Sequence, residues 1–274
     1  MNSLRIPRVL TFLYFALPLA ASLSMPAMAQ TSNAGRDQAV RNIVLVHGAW
    51  ANGSSWSKVI PLLEARGFHV VAAHLPLTSL QDDDDAVERA IKRITLTNPG
   101  PVLLVGHSYG GVVIGDDPGN DTRVVGLVYI AAFAPDTGQS VFSLLGSLSS
   151  PPPISNYLVI DPTMTSAWIS DEGIARAFAQ DLSPSEQREL AAVQGITAFG
   201  DLQATPTLTP AWKSKPSWFV IAAHDDVITA GLERQEAEAI GARAIELPTC
   251  HVAMLQEPGR IADFISSAAE SFNH

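Results

Sequence analysis

The sequence predicts an α/β fold: a mainly parallel central sheet with helices on both faces, and a helical cap inserted late in the chain. Three observations predict it. Short, wholly apolar runs rich in β-branched residues alternate with stretches of helical spacing, and strands apolar on both faces belong to a sheet covered on both sides. The alternation pauses over 136–216 and then resumes. A Gly-rich turn at 106–111 joins one apolar run to a helix start at Val112.

Each element follows from local pattern. Residues 43–46 form a buried strand, and 48–55, rich in small residues, a loop. Residues 56–66 place Trp56, Ile60 and Leu63 on one side of a helix, which Gly67 stops. A second strand covers 68–73, and a helix covers 82–94, its acidic start suiting the positive end of the helix dipole. The run of four acids at 82–85 reads as a solvated N-terminus rather than a cation site. Strands follow at 101–105 and 124–131. The interval 136–216 holds Pro151-Pro152-Pro153, helical stretches at 172–180 and 184–193, and Trp168 and Trp212. Such an insert between strands reads as a cap over a site, with its Trp and Leu residues lining an acyl pocket or forming the cap's own core. A strand at 217–223, a helix at 231–240, a strand at 243–247 and a closing helix at 258–272 complete the pattern.

Composition narrows the functions. The chain has 274 residues, 47% hydrophobic and 16% charged, which excludes a mainly disordered protein. With 17 Lys and Arg against 27 Asp and Glu, the net charge is −10, unsuited to binding a nucleic-acid backbone. The single cysteine, Cys250, excludes an intramolecular disulfide and a Cys-cluster metal site, and reads as a packed thiol. Residues 1–29 have the layout of a secretory signal peptide: Arg5 and Arg8, an apolar run over 9–23, then Ala27-Met28-Ala29 before the cleavage point. The run is short for a membrane span of about 20 residues, and Pro18 interrupts it. Cleavage moves the net charge from −10 to −12. A polar, flexible leader over 30–41 then precedes the folded domain at 42–274. The expectation is a periplasmic or secreted protein with no membrane attachment after cleavage; the sequence leaves its oligomeric state open.

The chemistry concentrates at the Gly-rich turn, Gly106-His107-Ser108-Tyr109-Gly110-Gly111. Between strand and helix, G-x-S-x-G turns the backbone sharply and leaves the Ser108 hydroxyl above the C-terminal edge of the sheet. There is no G-x-x-x-x-G-K-S/T pattern, so the turn is not a phosphate cradle. A serine hydroxyl needs a base. Of seven histidines, His251 follows the last strand and lies at the same sheet edge. His107 would point the other way, His69 sits within a strand, His47 fixes its loop by hydrogen bonds, and His274 is terminal. The base needs a carboxylate, and either Asp225 or Asp226 follows the strand at 217–223 at that edge. The order Ser, Asp, His suits this elbow. Backbone N–H groups of Ala49, after the first strand, and Tyr109, after the nucleophile, would form an oxyanion site. No metal or organic cofactor is called for.

These motifs, with Val44 to Trp50 and Cys250 to Leu255, resemble the α/β-hydrolase fold family. The resemblance is greatest to the branch holding small esterases, plant methyl esterases and hydroxynitrile lyases, and it covers about 42–272. It implies Asp225 as the acid, from the family's Asp-x-Val/Thr-Ile/Val-Pro pattern, with Thr229 where Pro is usual. Ser108 stands where dehalogenases and most epoxide hydrolases of the fold carry Asp. Related lyases carry Thr and Lys where this chain has Gly48 and Val252, which favours ester hydrolysis. The resemblance thus implies a serine hydrolase that cleaves a carboxylic ester of a small, fairly apolar molecule through an acyl-enzyme. Its rivals are a non-catalytic receptor for a small ligand on the same fold, a hydroxynitrile lyase and a cofactor-free dioxygenase.

Overall fold

A computed structural model describes residues 39–273. The expected signal peptide at 1–29 and most of the leader lie outside the described residues. Among the described residues nine strands occur in chain order: β1 (Asn42–Val46), β2 (His69–Ala72), β3 (Val102–Ser108), β4 (Val124–Ala132), β5 (Leu158–Ile160), β6 (Ser166–Ile169), β7 (Thr197–Ala198), β8 (Ser217–Ala222) and β9 (Arg243–Leu247). Six of them form one sheet in the order β2-β1-β3-β4-β8-β9, every pair parallel. The α/β architecture expected from the alternation is therefore present, with all six strands near their expected places. β1, β3 and β8 are buried along their whole length, as continuous apolar runs require. The edge strands β2 and β9 are partly exposed, and His69 opens β2 on the surface.

The folded domain starts slightly before residue 42. Val40 is buried, its N–H donates to Asn273 Oδ1 at 3.2 Å, and the Arg41 carbonyl accepts from His69 N at 2.7 Å. The helix expected over 56–66 is two pieces. Asn52 caps a 3₁₀ turn, Gly53–Trp56, and a helix resumes at Ile60–Glu64. Pro61 has no N–H to bond backwards, so it can start the second piece but not continue the first. Trp56 and Leu63 are nevertheless buried together with the core.

The helix after β2 runs from Leu80 to Thr97, with Ser79 as its cap. Here the sequence expectation of a solvated acidic start is overturned. Asp82 and Asp85 face water, but Asp83 and Asp84 are buried. Helical spacing explains it: the face that buries Ala86, Val87, Ala90 and Ile91 also carries residues 83 and 84. Asp83 accepts the Leu77 N–H and the Tyr109 hydroxyl, each at 2.9 Å.

Between β4 and β8 the chain leaves the sheet. This excursion was expected to be helical, yet β5, β6 and β7 form a small antiparallel sheet within it. The stretch expected as a helix at 172–180 is one turn, Asp171–Gly173, followed by a π-type turn, Ile174–Phe178. The helix Pro184–Val193 begins with a Ser183/Glu186 capping box.

Candidate active site

The elbow is held by close backbone approach. A Cβ on Gly106 would lie 2.5 Å from the Gly110 carbonyl oxygen, and one on Gly110 would lie 2.7 Å from the Val46 and His47 oxygens. With side chains excluded there, the turn closes tightly against the end of β1. Ser108 sits at the end of β3 with φ 55°, in the left-handed region that side chains other than glycine seldom occupy.

Beyond β8, the Asp225 carboxylate is fixed on all sides. Oδ1 accepts the N–H groups of Val227 at 2.6 Å and Ile228 at 3.0 Å, and Oδ2 lies 2.6 Å from His251 Nδ1. Both side chains of this pair are fully buried. Burial pushes the Asp225 carboxyl up, but the adjoining His251 ring and the hydrogen bonds from His251 and Ile228 outweigh it and hold the group below the usual carboxylate range. A carboxylate at Nδ1 makes that nitrogen the donor and leaves Nε2 with a lone pair. Among the described residues Nε2 has no hydrogen-bond partner, so the structure does not join it to Ser108.

Of the two acids left open by residue pattern, the structure brings Asp225 to His251. Asp226 is half-buried and meets Gln180 Nε2 at 3.4 Å. The departure at Thr229 also has a physical reason. Its φ is 70°, out of reach of proline, whose ring holds φ near −65°. Its side chain instead caps the next helix, Ala230–Ala239.

The remaining histidines divide as follows. His47 Nε2 accepts the Leu75 N–H at 3.0 Å while Nδ1 faces the Gly48 carbonyl at 2.9 Å, so Nδ1 carries the proton. Burial lowers this ring to about 4, and it stays a neutral brace for its loop. His107 packs against His251. Its ring packs 4.6 Å from that of His251, and its Nε2 lies 3.0 Å from the His251 carbonyl. Phe178, from the π-type turn, also packs against His251, with ring centroids 5.2 Å apart. Cys250 is buried and its thiol is pushed up to about 11 by burial, which suits packing rather than nucleophilic chemistry.

Ala49 and Tyr109 border one cavity together with Ser108. Among the described residues neither backbone N–H is taken by another acceptor. The next residue, Trp50, is tied down: its N–H donates to Thr197 Oγ1 and its indole N–H to the Ala167 carbonyl, both at 2.9 Å. The loop that carries Ala49 is thus pinned to β6 and β7 of the excursion. Neither Thr197 nor Phe178 stood out in the sequence, because their roles come only from folding.

The cavity measures about 380 Å³. Trp50, Phe133, Phe142, Leu145, Leu202 and Val227 form much of its wall, and among the described residues no charged side chain lines it. The Leu residues of the excursion reach this wall; Trp168 and Trp212 do not. Among the described residues no group of three or more His, Cys, Asp or Glu side chains is placed to hold a metal ion.

Residues 43–264 match the model of the alpha/beta hydrolase family, so the chain belongs to that family. Salicylic acid-binding protein 2 of Nicotiana tabacum is 29% identical, over 85% of this chain and 98% of that protein. Methylesterase 1 of Arabidopsis thaliana is 27% identical, over 85% of this chain and 97% of its own length. The solved structure of a pyrethroid hydrolase from Sphingobium faniae JZ-2 superposes with a TM-score of 0.70 at 22% identity, covering 84% of this chain and 97% of that one.

Proposed function

We propose that this α/β hydrolase is a serine-dependent carboxylic ester hydrolase acting on a small, uncharged, fairly apolar ester. One observation carries the reading: a buried Asp225–His251 pair at 2.6 Å, whose His251 ring packs 4.6 Å from that of His107, the residue before a strained Ser108 that borders an apolar cavity. The relatives named for ester hydrolysis support the reaction class.

In this reading Ser108 Oγ attacks the ester carbonyl carbon as His251 Nε2 takes its proton. The carbonyl oxygen becomes an oxyanion and accepts the N–H groups of Ala49 and Tyr109. Asp225 holds the Nδ1–H and balances the charge of the imidazolium. Collapse breaks the C–O bond, and His251 returns the proton to the departing alcohol. Water then attacks the acyl-enzyme with the same base, releasing the acid and restoring Ser108. An uncharged lining disfavours substrates that carry an ion into the cavity.

The test is turnover of p-nitrophenyl esters of increasing chain length by wild type and S108A, with titration by a fluorophosphonate. The reading expects one equivalent of label on Ser108 and a loss of about 10³-fold or more in S108A. Binding of apolar esters without turnover, and no labelling, would favour a receptor instead. Export belongs to the same proposal, on the strength of Arg5, Arg8 and Ala27-Met28-Ala29. N-terminal sequencing of secreted or periplasmic protein should begin at Gln30, and Met1 on membrane-bound protein would refute it.

A further inference from the structure

We propose that Thr197 is a positioning residue for the oxyanion site: its side-chain oxygen fixes the loop that carries the Ala49 N–H and joins it, through Leu77 and Asp83, to Tyr109, which carries the second N–H. The inference rests on the esterase reading of Ser108, Ala49 and Tyr109 given above.

Ala49 lies between two peptide planes, and each is held. In the first, the Gly48 carbonyl accepts from His47 Nδ1 at 2.9 Å. Across a trans peptide the N–H points opposite to the carbonyl, so this bond aims the Ala49 N–H. In the second, the Trp50 N–H donates to Thr197 Oγ1 at 2.9 Å. Trp50 has φ 55°, a left-handed conformation that persists only where the surroundings enforce it. Strands β6 and β7 supply those surroundings. Thr197 pairs in register with Ala167, whose carbonyl accepts the Trp50 indole N–H at 2.9 Å. Trp50, Ala167 and Thr197 are all buried. A Trp50 N–H deprived of the Thr197 oxygen is therefore left unpaired in the interior, and its plane turns to find another acceptor.

From Thr197 the connection continues to the elbow. The Ala198 N–H donates to the Leu77 carbonyl at 3.0 Å, and the Leu77 N–H donates to Asp83 Oδ1 at 2.9 Å. Asp83 Oδ2 accepts the Tyr109 hydroxyl at 2.9 Å. Leu77, like Trp50, has a left-handed φ, 57°, and is held by hydrogen bonds on both its carbonyl and its N–H. The residues that supply the two oxyanion donors are thus joined by one hydrogen-bonded circuit through the excursion. Phe199 and Leu202, just beyond Thr197, line the cavity. One short stretch of chain therefore bounds the cavity and steadies the loop that carries Ala49.

Two substitutions separate this role from packing. T197V keeps the shape of the side chain and removes its oxygen; T197S keeps the oxygen. With p-nitrophenyl butyrate, kcat of T197V should fall about tenfold or more while KM stays within about twofold, because the oxyanion exists only beyond the ground state. A trifluoromethyl ketone gives the same anion: Ser108 Oγ attacks its carbonyl carbon, His251 takes the serine proton, and the carbonyl oxygen becomes the oxyanion. Its inhibition should weaken in T197V by the same factor as kcat. T197S should stay within about threefold of wild type on both measures. T197V and Y109F cut one circuit, so the double variant should turn over within about twofold of the worse single variant. Unchanged kcat and ketone inhibition in T197V would overturn the proposal, as would a T197S as damaged as T197V, or single losses that multiply in full. Hydrogen exchange at the Trp50 amide needs neither turnover nor a folded T197V. It should quicken about threefold or more in Y109F, and an unchanged rate there would also overturn the proposal. Absent ester turnover in wild type refutes the esterase reading, while exchange at Trp50 still decides whether Thr197 and Tyr109 are joined.

Discussion

The hydroxyl of Tyr109 donates to Asp83 Oδ2 at 2.9 Å, joining the residue after Ser108 to the helix Leu80–Thr97. The other oxygen of Asp83 accepts the Leu77 N–H. The run of acids is therefore part of the scaffold beneath the elbow, and it steadies the backbone whose N–H is proposed to face the oxyanion. Y109F keeps that N–H but leaves a buried carboxylate oxygen without its donor. Stability should fall by about 1–3 kcal/mol in urea titration. The kcat should drop about threefold to tenfold, because small displacements of an oxyanion donor are costly. Wild-type stability in Y109F would show that the bond contributes nothing.

The same burial sets the pH dependence of stability. Desolvation raises Asp83 to about 6; desolvation with neighbouring Asp116, Asp117 and Asp83 raises Asp84 to about 9; desolvation with Asp83 and Asp82 raises Asp201 to about 7. An acid whose pKa is higher folded than unfolded holds more protons in the folded state between those two values. Unfolding then releases protons, and stability declines as pH rises through that window. The melting temperature should be highest near about pH 5 and fall by several degrees toward about pH 9. D84N and D201N should flatten the decline. A melting temperature that climbs over this range would contradict the assignment of these three groups.

Asp225 and Asp226 are adjacent in sequence and differ entirely in setting. The first holds three donors in the interior, and the second is half-buried beside Gln180. D225N should lower kcat by about 10⁴-fold, since an amide permits the wrong imidazole tautomer. D226N should stay within about threefold of wild type. A dead D226N with an active D225N would reverse the reading of the pair.

Much of this arrangement was legible because core strands in a covered sheet are apolar throughout, as β1, β3 and β8 are. The elbow at Ser108 and the place of His251 were legible because steric and chemical demands restrict those positions, whereas residue pattern left Asp225 and Asp226 open and only the family resemblance chose between them. The small antiparallel sheet was not, since β6 has four residues and β7 two, too few to display a period. Asp83 and Asp84 were misread by counting charge without following the helical face on which Val87 and Ile91 also lie.

The last prediction concerns hydrolysis against cyanohydrin cleavage. The resemblance implied that related lyases carry a Thr hydroxyl where this chain has Gly48, and a Lys where it has Val252. The structure adds a steric reason why this chain is not readily converted. A Cβ on Gly48 would lie 2.6 Å from Ser108 Cβ and 3.0 Å from the His107 carbonyl oxygen, both parts of the rigid elbow. A threonine there must displace Ser108 or the loop that carries Ala49. Val252 is buried, so a lysine in its place would have to carry a charge out of water without a partner. G48T should therefore lose about 10²-fold or more in ester turnover, through misplacement of the nucleophile. Overpacking should cost it about 1–3 kcal/mol of stability. Neither G48T nor the double variant with V252K should release cyanide from mandelonitrile above the uncatalysed rate. Ester turnover in G48T close to wild type would show that the elbow yields to a side chain there, and cyanide release would show that those two positions alone decide the reaction.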